Sequence, residues 1–346
     1  MKILVTGGAG YIGSHAVVAL AEAGFEPIVV DNLSNSRASA LAGIAAIVGR
    51  PVAFYEVDCT DEAALDAVFT AEGPVAGVLH FAAYKAVGES VAQPLAYYRN
   101  NVGSLLALLA AMARAACPRL VFSSSCTVYG IPAALPVTEA APTHGAASPY
   151  GRTKQVAEDI LTDLAAAGTG ALRAISLRYF NPIGAHPSAQ IGELPLGVPN
   201  NLVPFVTQTA AGLRERLTVY GTDYATPDGS CVRDYIHVVD LADAHVMALR
   251  RLLTTEVAVP ALEAFNLGTG RGHSVLEVVR AFERIAGQQL PVVLGARRPG
   301  DVPAIYGDVT RAAQVLGWRA TRTLDDALAD AWRWQQALAR PQSAAE

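Results

Sequence analysis

Tyr150 and Lys154 stand four residues apart, and Ser125 follows an apolar, β-prone run at 119–123. On a helix that spacing puts the phenol and the ammonium on one face, with their Cβ atoms about 6 Å apart. Ser148 suits the N-cap and Pro149 the first helical position, so Tyr150 falls in the first turn. A free phenol titrates near about pH 10, too high for a base at neutral pH. An adjacent ammonium and a helix N-terminus both favour the phenolate. A serine hydroxyl can hold the same substrate oxygen and steady a developing alkoxide. The trio can therefore draw the proton from a carbinol, provided that a neighbouring group accepts the hydride. Taken alone, a Tyr-x-x-x-Lys pair is more often a surface accident, so its weight depends on the rest of the chain.

The start of the chain supplies the missing partner. Met1 to His15 reads as a short apolar strand, a glycine cluster and an apolar stretch with helical spacing. Gly8, Gly10 and Gly13 satisfy G-x-G-x-x-G, and Gly7, Gly10 and Gly13 repeat at three-residue intervals. Together with Tyr11 and Ile12 they form a turn whose backbone can approach a diphosphate closely. The free N–H groups of the following helix, expected over 11–23, attract anionic oxygens without a basic side chain. A second apolar run ends in Asp31, about 20 residues on, where a dinucleotide fold needs an acid for the adenosine ribose hydroxyls. A 2′-phosphate would meet like charge there, so NAD is expected over NADP, although Arg37 is close by in sequence. With such a nicotinamide site beside it, the Tyr150, Lys154 and Ser125 group becomes the natural place for coupled proton and hydride transfer.

At 346 residues the chain has length for about two domains, and 52% hydrophobic with 16% charged residues describes a globular protein with a real core. The net charge of -5 leaves no footprint for nucleic acid or an anionic membrane. No apolar run reaches membrane length, and glycines interrupt the one N-terminal stretch that could imitate a leader, so a cytoplasmic location is expected. Cys59, Cys117, Cys126 and Cys231 lack C-x-x-C spacing and no histidines pair on one helix face, so reduced thiols and no metal are expected. Nearly all basic residues are arginine; Lys2, Lys85 and Lys154 are the only lysines. Lysine persists where a compact ammonium is needed, though chance suffices for Lys2.

Strand patterns at 27–31, 52–57, 75–82, 119–123 and 172–179 alternate with helical ones at 37–48, 61–69, 94–115 and from 149. That alternation predicts an α/β fold with a Rossmann-type, doubly wound parallel sheet. Asp58 follows the third strand, at the carboxyl edge where side chains face ligands. Past residue 180 the alternation stops and proline and glycine thicken. The expected division is a dinucleotide-binding domain over 1–180 and a smaller C-terminal α/β substrate domain over 181–346, with a strand near 265–270 returning to the first sheet. Helices are expected at 240–253, from 274, and around Trp332 and Trp334; residues 344–346 should fray.

Over nearly its whole length the chain resembles the extended short-chain dehydrogenase/reductase family. The residues that carry this are Thr6 to Gly13, Asp58, Ser125 and Tyr150-Gly-Arg-Thr-Lys154. Within the family the closest likeness is to the nucleotide-sugar 4-epimerases, through His80 to Ser90, Phe122 to Gly130, Arg178 to Pro187 and Gly221-Thr-Asp-Tyr224. The resemblance implies NAD-dependent interconversion of UDP-galactose and UDP-glucose, by inversion at sugar carbon 4 through a transient 4-keto intermediate. It implies that Asp31, Asn32, Asp58, Cys59, Phe81, Ala82, Asn100 and Phe180 line the NAD site, with Lys85 beside the cofactor's ribose and phosphates. It places the UDP-sugar against Asn181, Asn201, Leu202, Thr218, Val219, Tyr220, Arg233, Arg298 and Asp301. Independently, arginine forks suit a diphosphate and a carboxylate suits ribose hydroxyls. Ile305 matches the family's gating position, where tyrosine goes with exclusion of N-acetylated sugars and smaller residues with their admission. Isoleucine is intermediate, so weak or moderate turnover of UDP-N-acetylglucosamine is expected. A homodimer through the helices near 94–115 and 149–165 is also implied. Among rivals, a 4,6-dehydratase would carry Thr-Asp-Glu where this chain has Ser125-Cys126-Thr127. A non-catalytic dinucleotide sensor would have no need of Tyr150 and Lys154.

Overall fold

The computed structural model describes residues 1–167, 172–254, 260–298 and 301–339. Pro299 and Gly300, between the site residues Arg298 and Asp301, and the end expected to fray at 344–346 lie outside the described residues.

Six short strands come first: β1 (Lys2–Thr6), β2 (Glu26–Asp31), β3 (Ala53–Glu56), β4 (Val75–His80), β5 (Arg119–Ser123) and β6 (Arg173–Tyr179). With a late strand, Leu262–Leu267, they make one seven-stranded sheet in which every pairing is parallel. Across the sheet the order is β3, β2, β1, β4, β5, β6 and then the late strand. Strand order reverses between β1 and β4, which opens a crevice at the carboxyl ends. The Rossmann-type doubly wound sheet expected from the sequence is therefore the architecture found.

Alternate residues of each strand face opposite layers. Ile3, Val5, Val29, Leu79, Val121 and Ile175 pack on helices α1 (Tyr11–Glu22) and, later in the chain, Val238–Leu253. Helix α2 (Ser39–Val48) joins that layer through Ile44, while Leu4, Ile28, Val30, Val78, Leu120 and Phe122 pack on the other layer, which includes α3 (Glu62–Glu72). That layer continues through α4 (Val87–Ala92), α5 (Pro94–Tyr97), α6 (Gly103–Arg114) and α7 (Pro149–Ala167). The single helix expected over 94–115 is interrupted by a π turn at Tyr98–Val102. There the buried Asn101 donates to the Tyr84 carbonyl and Thr153 Oγ1 and accepts from the Tyr84 N–H, bonds that fix the irregular turn.

The remaining elements are smaller. Strands β7 (Asn181–Ile183), β8 (Leu217–Tyr220), β9 (Val232–Arg233) and β10 (Tyr235–His237) flank α8 (Leu202–Ala210), and α9 (Val238–Leu253) follows directly. The returning strand, β11 (Leu262–Leu267), ends earlier than the sequence pattern suggests. Beyond it, the N–H groups of Thr269 and Gly270 donate to the buried Asp234 carboxylate, which turns the chain out of the sheet. Then come β12 (His273–Ser274), α10 (Val275–Ala286), β13 (Val292–Gly295), β14 (Ala304–Ile305) and α11 (Leu324–Ala339). Val206, Leu217, Val219, Val278, Phe282 and Leu328 form the core of this region. Among the described residues no helix is long and apolar enough to cross a membrane.

Candidate active site

A cleft of about 1870 Å³ runs along the carboxyl edge of the large sheet and between the two regions. All of the residues singled out above for chemistry, cofactor or substrate line it except Gly8, which packs against Val29, from Gly7, Gly10 and Gly13 through Lys85, Asn100 and Ser125 to Arg298, Asp301 and Ile305.

The glycine turn has no room for side chains. A Cβ on Gly13 would stand 2.1 Å from the Gly7 carbonyl oxygen, and one on Gly7, whose φ is +70°, 2.7 Å from the Ala82 nitrogen. No side chain caps the start of α1 and no acid occupies its first turn, so its N–H groups are presented to the cleft. That cradle fits a diphosphate. Asp31 ends β2 beside it, its carboxylate fixed by the N–H groups of Ala9 (3.0 Å) and Leu33 (2.9 Å) and by the Ser36 hydroxyl (2.9 Å). Burial opposes charge on Asp58, but bonds from the Thr60 N–H and hydroxyl and the Asn32 amide outweigh it and hold the carboxyl below its usual range. These residues fit the adenosine end of NAD.

Tyr150 and Lys154 occupy one face of α7, where the Ser148 hydroxyl accepts from the Gly151 N–H at 3.2 Å and caps the helix start. Ser125, in extended backbone one residue past Ser124, has its Oγ bonded to the Thr127 N–H at 3.2 Å. Burial pushes the Tyr150 phenol well above its ordinary value, with a Ser125 hydrogen bond as the main opposing influence. The Lys154 Nζ donates to the Ser123 carbonyl at 2.7 Å. Burial lowers Lys154 itself to about 8, against the pull of Glu158 one turn on. Glu158 in turn binds Arg178 at 2.6 Å and the Ser124 hydroxyl at 2.6 Å, both out of solvent, which ties the serine segment to the helix carrying Tyr150.

On the far wall the ligand-seeking groups are side chains. Arg298 meets Asp301 through two bonds of 3.0 and 3.2 Å, and Arg233 lies 3.8 Å from the same carboxylate. The Arg298 guanidinium sits 5.2 Å over the Tyr220 ring. Asn201 stands at the N-cap of α8, yet its amide does not cap the helix; it donates to Glu193 at 2.6 Å. Ile305 is buried with Cys126, Val128, Tyr129, Val137 and Phe180, forming an apolar wall close to Ser125 in the chain. A reactive group held at Tyr150 therefore lies on the same cleft as a diphosphate cradle on one side and an arginine, amide and helix-terminus cluster on the other.

A family model described as the NAD dependent epimerase/dehydratase family matches residues 3–268. The chain belongs to that family. Among other members, it is 52% identical over 346 residues to the UDP-glucose 4-epimerase of Bacillus subtilis, covering 100% of both chains. The UDP-glucose-4-epimerase of Stenotrophomonas maltophila, solved with bound NAD and formylated UDP-arabinopyranose, superposes with a TM-score of 0.93 at 48% identity, covering 98% of each chain. The UDP-glucose 4-epimerase of Bifidobacterium longum, in complex with NAD+ and UDP, gives 0.93 at 46% identity, covering 97% of this chain and 98% of that one. An NAD-dependent enzyme of this epimerase family is accordingly what the cradle and the Tyr150 group together make.

Several cleft residues are not marked by any sequence pattern. Glu193, Gln190 and Ile191 come from the proline- and glycine-rich segment after β7, and Trp334 from α11. Glu193 carried one available signal, an acid among apolar and turn residues, but nothing periodic marked which way it faces.

Proposed function

We propose that this chain interconverts UDP-galactose and UDP-glucose by inverting sugar carbon 4. The observation that carries the reading is the single cleft that joins Tyr150, Lys154 and Ser125 to both the glycine cradle and the Arg233, Arg298 and Asp301 cluster. NAD, when bound, supplies a hydride acceptor and donor for carbon 4 and a positive ring that favours the Tyr150 phenolate. Asp31, Asn32, Asp58, Lys85, Asn100 and the turn around Gly7, Gly10 and Gly13 hold that cofactor. Tyr150 takes the proton from the 4-hydroxyl and later returns it, Ser125 holds the same oxygen, and Lys154 fixes the local charge. Asn201, Leu202, Thr218, Val219, Tyr220, Arg233, Arg298 and Asp301 anchor the UDP portion, leaving the 4-keto sugar free to swing and offer its other face. The 1–180 half thus serves the cofactor and the 181–346 half the nucleotide sugar.

The proposal includes a homodimer, supported by Val91 (63%), Leu95 (61%) and Leu106 (50%), which expose apolar surface on neighbouring helices. Sedimentation velocity tests this, a monomer counting against it. A cytoplasmic location is part of the same reading, supported by four buried cysteines that remain free thiols.

The deciding experiment incubates purified protein with UDP-galactose and no added nucleotide. UDP-glucose should accumulate to an equilibrium that is also reached from UDP-glucose. A reduced or dehydrated sugar would overturn the assignment, and dehydration is disfavoured because no carboxylate occupies 125–127.

A further inference from the structure

Glu193 touches both sides of the cleft through one atom. Its Oε1 accepts from Lys85 Nζ at 3.0 Å and from Asn201 Nδ2 at 2.6 Å, with the Glu193 side chain only 11% exposed. Lys85 comes from the segment after β4, on the cofactor side, and hovers 5.9 Å over the Tyr11 ring of α1. Asn201 comes from the head of α8, on the substrate side. The Glu193 backbone is pinned as well, its carbonyl accepting the Trp334 indole N–H at 3.0 Å. The same chain segment is held further back, where the Tyr11 hydroxyl donates to the Gly184 carbonyl at 2.7 Å. A Cβ on Gly43 of α2 would stand 2.3 Å from the Gln190 carbonyl oxygen, so the segment also lies directly against the helix behind Asp31. Residues 184–193 therefore form a hairpin strap on the cofactor side of the cleft, Ala185 bridging Gly192 and the His186 N–H donating to the Ile191 carbonyl at 3.1 Å, and Glu193 is its last fastening.

We infer that Glu193 is a positioning residue that latches this strap over the dinucleotide and couples NAD retention to nucleotide-sugar binding. The inference rests on the functional reading above, which gives Lys85 to the cofactor and Asn201 to the UDP-sugar. A diphosphate at the head of α8 competes for the Asn201 amide, being a stronger acceptor for a donor at a helix N-terminus. When the amide turns to the phosphate, Lys85 becomes the sole partner of Glu193 Oε1 and the ion pair tightens across the strap. UDP thereby slows NAD release. Binding linkage is reciprocal, so whatever factor UDP adds to NAD affinity, NAD adds to UDP affinity. The latch suits a cofactor that must stay in place while substrates exchange.

The test uses NAD-loaded protein passed rapidly into nucleotide-free buffer, with retained NAD measured against time, with and without UDP. For the wild type, UDP should slow NAD loss by at least about fivefold, within the usual span of coupling between sites. Glu193→Gln keeps an acceptor for Asn201 but loses the ion pair, and Glu193→Ala loses both. Both variants should release NAD faster than the wild type, Ala more than Gln, and UDP should change their release by less than about twofold. Unchanged melting of the cofactor-stripped variants separates this from a folding defect. Variants that hold NAD as long as the wild type, with the same response to UDP, overturn the latch alone. A wild-type protein that binds no NAD overturns the functional reading as well.

Discussion

The two anion-seeking walls of the cleft are built from different material. Around Gly7, Gly10 and Gly13 the groups offered are backbone N–H donors at the head of α1, in a turn so tight that a Cβ on Gly13 would lie 2.1 Å from a carbonyl oxygen. Around Arg298 they are long side chains already engaged with one another, Arg298 with Asp301 and Arg233 nearby, and the Arg298 side chain is 52% exposed. Backbone donors held by a strand and a helix need no reordering when a ligand arrives. Paired, partly exposed arginines must exchange partners and give up rotamer freedom. The contrast matches what the proposed reaction asks: one nucleotide stays through the catalytic cycle, the other enters and leaves at every turnover.

Four substitutions break or sharpen that contrast. Gly13→Val should have the largest effect, because the clash is with backbone and cannot relax; overpacking of this kind destabilises by about 1–3 kcal/mol. Purified Gly13→Val should carry no NAD by absorbance and show no epimerisation, and NAD occupancy equal to the wild type would show that the turn is not the cradle. Tyr150→Phe should keep NAD while turnover falls by about two to four powers of ten, measured with UDP-galactose. Near-normal turnover would remove Tyr150 from the role of base. Arg298→Gln should raise KM for UDP-sugars by about tenfold to a hundredfold, from loss of a charged hydrogen bond worth about 1.5–3 kcal/mol, with kcat and NAD content little changed. Loss of NAD from that variant would mean that the walls are not separable. Ile305→Tyr should have the smallest effect, lowering kcat/KM for UDP-N-acetylglucosamine relative to UDP-glucose by about tenfold, as expected when a pocket wall is enlarged. Unaltered preference would place the selectivity elsewhere than the apolar wall.

The legible parts of the molecule were those written in short-range pattern. The alternation of strands and helices predicts the parallel sheet, and Asp31, Asp58, Ser125 and Phe180 all sit at or just beyond carboxyl ends of its strands, as their sequence positions imply. The spacing of Tyr150 and Lys154 correctly puts both on one face of α7. What spacing cannot convey is the long-range partner: the Lys154 ammonium donates to the Ser123 carbonyl, thirty-one positions away. The π turn at Tyr98–Val102 is invisible for the same reason, being fixed by Asn101 bonds to Tyr84 and Thr153. The early end of β11 depends on Asp234 capturing the N–H groups beyond it. Glu193 lies where proline and glycine erase any period, and only the folded chain shows its carboxylate between Lys85 and Asn201.

The position of β11 bears on how the molecule comes into being. Its partner β6 finishes at Tyr179, yet the strand that completes the sheet is not reached until Leu262–Leu267. During synthesis β6 must wait, its outer row of N–H and C=O groups open to any other extended chain. Truncation after α9 should leave that border permanently bare and prone to aggregate, so the first half of this protein is a poor candidate for excision as a free-standing module.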